Sequence, residues 1–371
     1  LEFVGDDLAL PIARPDHERS TAVEGRFDGG RDIARARFRA GRRRLRPRQQ
    51  PRRGAVVVRE QLVSTSWRRH PAAARGLRMV AGKVMMDRNA PAALLDTARS
   101  GYDESAALIG RWHGKGRLAY AITPRFAPTS SPEQLEAAGA LWRANPSCLL
   151  QTHMSESRDE IAWVKRLFPA ARDYLDVYEI NGLVGPGANI GHAIHLEPRE
   201  RRRLAETGTG ISHCPTSNTF IGSGLFDLAG LRSGVSPVPV GLGTDVGGGS
   251  SFSMFATMKA AYEIAQLRGA SLHPVRAWYL ATLGSARVLR LDRCVGNLAP
   301  SYDADIIVVD LESRPLIAER MRRVDTLAEA LFVQMILADD RAIRTVYVAG
   351  SKAYSRDGAA PRSPVPADSP S

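Results

Sequence analysis

The sequence has few cysteines and no long apolar run. Its three cysteines, Cys148, Cys214 and Cys294, lie far apart without CxxC spacing, so the pattern indicates neither a disulfide framework nor a thiolate zinc motif. No apolar stretch reaches the roughly 18 to 20 residues that a membrane-spanning helix needs. We therefore expect a soluble, cytoplasmic protein without a membrane partner, with reduced, structural cysteines.

Lysine is absent from residues 1–75, which contain eighteen arginines and nine acidic residues. Most of the chain's net charge of +12 therefore belongs to this segment. Its Arg, Gly and Pro content, with few large apolar residues, predicts poor packing, most of all over 1–54. Three interpretations fit this composition. The segment could be a solvated tail, an arm that binds nucleic acid through its phosphates, or the product of a GC-rich gene read in the wrong frame.

From Gly76 onward, short apolar runs alternate with amphipathic stretches. The stretches at 131–144 and 157–168 are typical of helices, with Ser131 and Ser157 in position to cap them. This alternation predicts an α/β protein in which a parallel sheet forms a TIM-like (β/α) barrel over residues 76–294. The predicted strands lie at 77–84, 118–123, 147–153, 188–194, 208–214 and 238–245.

Four successive predicted strands end in residues that can bind a metal or move a proton. These are His153, His192, His213 and Asp245, and Glu156 follows the first of them by three positions. Imidazole and carboxylate groups are common ligands at catalytic zinc centres, and a nearby unligated Glu can handle a proton. Because parallel strand ends meet at one mouth of a barrel, we expect these side chains to lie close together.

Several longer motifs resemble the amidohydrolase superfamily and, within it, the guanine deaminases. The resemblance covers residues 76–351, with a tail at 295–310 and 346–354 similar to strands of the family's β-sandwich. It implies a zinc-dependent hydrolase that converts guanine to xanthine and ammonia, as a cytoplasmic homodimer. The motifs are "QTHMSE" (151–156), "GHAIHL" (191–196), "HCPTSN" (213–218), "GTDVGGG" (243–249), "GKVMMDRNAP" (82–91) and "ITPRFAPTSS" (122–131).

The resemblance also implies roles for individual residues. His153 and Asp245 would bind the zinc ion, with Asp245 also acting as the base for the attacking water. Glu156 would carry a proton to the purine ring and then to ammonia, and His192 would polarise the attacking oxygen.

The same resemblance implies that the purine is bound next to this metal site. Arg125 and Phe126 would hold it, beside His153 and Glu156. His195 would lie outside the site, and His213 would form a pocket wall.

One element of the family pattern is missing. The family's first strand ends in a His-x-His pair that binds the metal, and this sequence contains no HxH. We therefore expect an incomplete barrel, weakened zinc binding and little or no activity, with an aberrant segment at 1–75 and a partial β-sandwich within 295–371.

Two alternatives remain open at this stage. The first is another amidohydrolase-type enzyme that acts on a purine or triazine-like ring, which would share the metal motifs. The second is an inactive, basic-tailed protein that binds nucleic acid non-specifically, although nucleic acid is not the partner we expect. The expected partner is the small-molecule substrate.

Overall fold

The structure is a computed structural model, and it describes residues 71–233 and 237–358. Most of the predicted Arg-rich segment, including the nucleic-acid arm considered above, lies outside the described residues. The described chain contains a large parallel sheet flanked by helices and a small antiparallel sheet.

Seven strands form the large sheet, in the order β1-β3-β4-β5-β6-β7, and β2 pairs with the end of β3. All pairings within it are parallel. Since β1 and β7 are the ends of this order within the described residues, the predicted incomplete TIM-like barrel is confirmed. The strands are β1 (Met79–Ala81), β2 (Val84–Met85), β3 (Leu118–Pro124), β4 (Leu149–Met154), β5 (Ala188–His192), β6 (Gly210–His213) and β7 (Val240–Leu242).

The crossover segments between the strands are mostly helical, as parallel pairing requires. The predicted caps are present: the Ser131 and Ser157 hydroxyls each accept a hydrogen bond from a backbone N–H three residues on. The helices are α1 (Pro71–Ala74), α2 (Ala98–Trp112), α3 (Pro132–Ala144), α4 (Arg158–Leu167), α5 (Tyr174–Glu179), α6 (Pro198–Thr207), α7 (Pro215–Phe220), α8 (Leu228–Arg232), α9 (Met254–Leu267), α10 (Pro274–Tyr279), α11 (Ser285–Val288), α12 (Pro315–Met321) and α13 (Leu327–Leu337).

The main core includes side chains from the strands and from the helices. Ile122, Leu150 and Ile190 of the sheet are fully buried, as are Leu135 of α3 and Leu204 of α6. Burial of large aliphatic side chains contributes roughly 1.5–3 kcal/mol each. This apolar layer fixes the strands in register, so the strand ends occupy defined positions.

The small sheet is antiparallel, in the order β10-β9-β8, with strands β8 (Ile306–Val309), β9 (Ile343–Val348) and β10 (Ser351–Ser355). It matches the partial β-sandwich predicted for the C-terminal segment. Asp303, just before β8, forms ion pairs with Arg78 beside β1 and with Arg117 beside β3. These ion pairs connect the start of the small sheet to the barrel.

Candidate active site

The carboxyl ends of β4 to β7 line part of one cavity of about 440 Å³, which also extends along the strands to Leu149 of β4 and Met79 of β1. His153, His192, Cys214 and Asp245 line it. His153 is the penultimate residue of β4 and pairs with Gly191 of β5, and the last pair in register is Met154 and His192. The structure therefore brings the predicted strand-end groups to one place, with the exception of the His213 ring.

His192 is the central group of this arrangement. Its side chain is buried, and its Nε2 lies 3.5 Å from a Glu156 oxygen and 3.9 Å from an Asp245 oxygen. On the other side of the ring, Nδ1 lies 2.9 Å from the Asn218 side-chain oxygen. Because an amide oxygen only accepts, Nδ1 donates this hydrogen bond, and Nε2 is the nitrogen that faces the two carboxylates.

Each oxygen of the Glu156 carboxylate has a polar neighbour. Ser223 Oγ donates to Glu156 Oε1 at 3.0 Å, while Oε2 faces His192. The preceding Ser155 has a φ of 49°, a conformation unusual for a residue other than glycine. His192 and Asp245 also have positive φ values, of 67° and 45°. Backbone strain of this kind tends to occur at functional sites.

His153 lies next to His192, with ring centroids 5.4 Å apart and the planes 28° from parallel. Its Nδ1 lies 2.7 Å from the Arg125 carbonyl oxygen, to which it donates. Because Nδ1 makes this hydrogen bond, Nε2 is the nitrogen through which His153 would bind a metal. The geometry of His153 is therefore compatible with its predicted role.

Arg125 and Phe126 lie at the start of the loop after β3, beside His153. The Arg125 guanidinium carbon is 4.9 Å from the centre of the Phe126 ring, and Phe126 meets Trp163 edge-on at 6.4 Å. Neither residue lines the central cavity.

Two further histidines of the predicted motifs, His213 and His195, make other contacts. His213 is buried and stacks on Phe226 at 4.3 Å, and burial lowers the pKa of His213 to about 3. It is therefore neutral at physiological pH. His195 is half-buried, with Nε2 2.8 Å from the Ser223 carbonyl oxygen.

One group of side chains in the described residues could hold a metal ion. His192, Cys214 and Asp245 each offer a ligand atom, and these atoms lie within 4.8 Å of one another. Nitrogen, sulfur and carboxylate oxygen are the donor types that zinc binds. Of the two predicted ligands, Asp245 belongs to this group, whereas His153 lies beside it.

Sequence reasoning did not find Cys214, Asn218, Ser223 or Tyr178 as parts of the site. A signal for Cys214 was available, because strand side chains alternate between faces. Since His213 points toward Phe226, the residue after it faces the cavity. The roles of Asn218, Ser223 and Tyr178 depend on contacts between distant segments, which no local pattern reveals.

Tyr178 fixes the position of the β4 end. Its hydroxyl donates to the His153 carbonyl oxygen at 2.6 Å and accepts from the Ala127 N–H at 3.0 Å, and the ring is fully buried. Tyr178→Phe removes the hydroxyl and leaves the buried Ala127 N–H without this acceptor. We expect the free energy of unfolding to fall by about 1–3 kcal/mol, measured by urea denaturation.

Tyr102→Phe is the control for that measurement. Tyr102 on α2 is only partly buried, so its replacement should change stability by less than about 0.5 kcal/mol. Equal stability of the Tyr178→Phe variant and the unchanged protein would contradict the structural role of the hydroxyl.

A parallel barrel sheet with imidazole and carboxylate groups at its strand ends is typical of TIM-barrel enzymes, whose active sites lie at this end. The amidohydrolase family model matches residues 67–352. The chain belongs to the amidohydrolase family.

Individual relatives are guanine deaminases. The chain is 50% identical to the guanine deaminase of Escherichia coli K12 over 281 residues, which cover 76% of this chain and 64% of the relative. The solved E. coli enzyme superposes with a TM-score of 0.76, at 49% identity, covering 77% of this chain and 66% of the other. The chain thus spans about two thirds of the length of these relatives.

A third similar structure is the guanine deaminase of C. acetobutylicum with guanine bound in its active site. It is 30% identical, with a TM-score of 0.66, and the match covers 73% of this chain and 64% of the other. In the part of this chain that the structure describes, every helix is too short or too polar to cross a bilayer.

Proposed function

We propose that this chain carries a guanine deaminase site, which converts guanine and water to xanthine and ammonia. The observation that carries the proposal is the convergence of the Glu156 and Asp245 carboxylates on His192 Nε2, at 3.5 and 3.9 Å, beside His153. The identity to the E. coli guanine deaminase supports the same chemistry.

The side chains provide the proton transfers that this reaction needs. Asp245 takes a proton from the attacking water, and Glu156 delivers a proton to the purine ring nitrogen. A carbon–oxygen bond forms at the ring carbon that bears the amino group. Glu156 then takes the proton of the new C–OH group and passes it to the amino nitrogen as the carbon–nitrogen bond breaks, so that the xanthine carbonyl forms and ammonia leaves. The proton held by Asp245 returns to Glu156 and restores the starting state. His192 polarises the attacking oxygen.

We propose zinc as the metal of the site, with His153 and Asp245 as ligands in the family pattern. A bound zinc ion supplies an activated water at neutral pH. The donor types around the cavity fit zinc. Because the sequence contains no HxH pair, we also propose that this form of the site binds zinc weakly and turns over slowly.

The broader organisation is proposed as well. Residues 76–294 would form the barrel, 295–371 a C-terminal helix and β-sandwich strands followed by a disordered tail, and 1–75 an Arg-rich aberrant or poorly ordered segment. The predicted tail and most of 1–75 lie outside the described residues. The homodimer and the cytoplasmic location implied by the resemblance remain predictions.

Binding of guanine tests the proposal independently of turnover. We propose that Arg125 donates to the guanine carbonyl oxygen and that Phe126 stacks on the ring. Arg125→Lys keeps the charge but loses the planar fork, so guanine affinity should fall about tenfold or more, since a charged hydrogen bond contributes about 1.5–3 kcal/mol. Isothermal titration with guanine measures the change.

Arg111→Lys is the matched control, because Arg111 is exposed on α2. The guanine affinity of this variant should equal that of the unchanged chain. Adenine lacks the carbonyl group and should bind weakly to both proteins. Equal affinity for adenine and guanine would contradict guanine as the substrate and favour another ring.

A further inference from the structure

We infer that the free edge of β1 is a docking site for a β-strand of a second polypeptide, and that this polypeptide corresponds to the region of a guanine deaminase that precedes the part this chain matches. The site lies in the gap of the incomplete barrel, and its occupancy does not depend on the proposed catalytic activity. Binding of this kind is strand addition, in which an extended segment pairs its backbone with the edge of a sheet.

The gap in the barrel corresponds to two strands. Six strand positions follow one another around the sheet, because β2 pairs with the same strand as β1. A complete barrel of this class has eight strands, and side chains fill its interior. Here the cavity of about 440 Å³ is lined by Val80 of β1, Leu150 of β4 and Leu242 of β7. The interior is therefore unfilled on the side where the described residues supply no strand.

β1 has a free backbone edge at Val80. The Met79 N–H donates to the Arg117 carbonyl oxygen at 3.3 Å, on the side of β3. Because successive residues of a strand direct their backbone groups to opposite sides, the N–H and C=O of Val80 point away from β3. Neither group has a hydrogen-bond partner within 71–233 and 237–358. An unpaired edge of this kind is a template for pairing with another chain.

The opposite edge of the sheet, at β7, is already covered. The Leu242 N–H donates to the hydroxyl of Ser285, the first residue of α11, at 3.1 Å. A Cβ on Gly284 would lie 3.3 Å from the Val240 carbonyl oxygen, so the chain at the start of α11 lies directly against this edge. β1 is therefore the edge that can accept a strand.

The order of the strands indicates which polypeptide fits. The order around the sheet follows the order along the chain, so a strand on the free side of β1 would precede β1 in a complete relative. The match to the E. coli guanine deaminase covers 64% of that relative and leaves about one third of its length. We therefore assign the region that precedes the match as the occupant. Its strand should be apolar on both faces, as strands covered by helices are.

Co-expression tests the docking site on the full chain. The chain carries an affinity tag, and the preceding region of the E. coli guanine deaminase is fused to a soluble carrier protein, so that this fragment stays in solution. We expect a one-to-one complex in native mass spectrometry, and the carrier alone should not copurify. The measurement uses neither metal nor guanine, so its result is independent of the proposed function.

Val80→Pro is the variant that blocks the edge. Proline removes the free N–H and places its ring where an added strand would pair, while the folded chain loses no hydrogen bond. Met79 is already extended, as the residue before a proline prefers to be. The amount of copurified fragment should fall about tenfold or more, because the added strand loses backbone hydrogen bonds. Val80→Thr keeps the N–H and the β-branched shape, so this matched control should copurify as much fragment as the unchanged chain.

Hydrogen–deuterium exchange gives a second measurement, which does not depend on the folding of Val80→Pro. When the complex forms, the Val80 amide should exchange more slowly, whereas the Leu242 amide, already bonded to Ser285, should change little. Absence of the complex, equal amounts of fragment with Val80→Pro and the unchanged chain, or protection confined to β7 would overturn the inference. Slow exchange of the Val80 amide in the purified chain alone would also overturn it, because a second copy or the chain's own residues before 71 would then occupy the edge.

Discussion

The purified chain, supplied with excess zinc, is expected to release ammonia from guanine at least about 100-fold more slowly than the E. coli guanine deaminase. The sequence contains no HxH pair, which in the family resemblance supplies two imidazole ligands. Mutating residues that hydrogen-bond to a metal ligand, without binding the metal themselves, already lowers metal affinity or activity by about 10–100-fold. Loss of two direct ligands should cost at least as much. Xanthine absorbance and released ammonia measure the rate.

The remaining activity should depend on Glu156. Glu156→Gln removes the proton carrier and should lower the rate by a further factor of about 10²–10⁴. Glu136→Gln, at an exposed position on α3, should have no effect. A rate equal to that of the E. coli enzyme would show that the described ligands suffice, and an unchanged rate in Glu156→Gln would exclude its role as proton carrier.

Much of the fold is predictable from the sequence because the barrel strands are buried apolar runs. The run at 118–123 forms β3, and the run at 188–194 contains β5. The positions where the strands end are less predictable. His192 and Asp245 adopt positive φ values, so the chain turns within the predicted runs, and neither residue type requires such a turn.

The candidate site is predictable as a set of strand-end residues, but not as a set of contacts. Strand position predicts that His153, His192 and Asp245 share a mouth, and the shared cavity shows that they do. Which nitrogen of His192 faces the carboxylates depends on Asn218, which is 26 residues away in the chain. Such long-range hydrogen bonds form only when the sheet brings α7 beside β5. No periodic pattern in the sequence predicts them.

Asp245→Asn is expected to weaken metal binding strongly, whether the ion is bound in the family pattern or by the His192–Cys214–Asp245 group. Asp245 is common to the family pattern and to the His192–Cys214 group, and an amide lacks the negative charge that attracts a divalent ion. Removing this ligand should weaken cobalt and zinc binding by about 100-fold or more, given the cost of lesser changes around metal ligands. Metal analysis after gel filtration and direct titration measure the loss.

Asp103→Asn provides the matched control, because Asp103 is exposed on α2 and pairs with Arg99. This variant should bind metal normally. The comparison of Asp245→Asn with Cys214→Ser and His153→Ala then identifies the centre. If Asp245 and Cys214 are both required and His153 is not, the ion is bound by the ends of β5, β6 and β7. Metal binding that survives Asp245→Asn would place the ion elsewhere and would remove the basis for assigning Asp245 as the base that takes the proton from water.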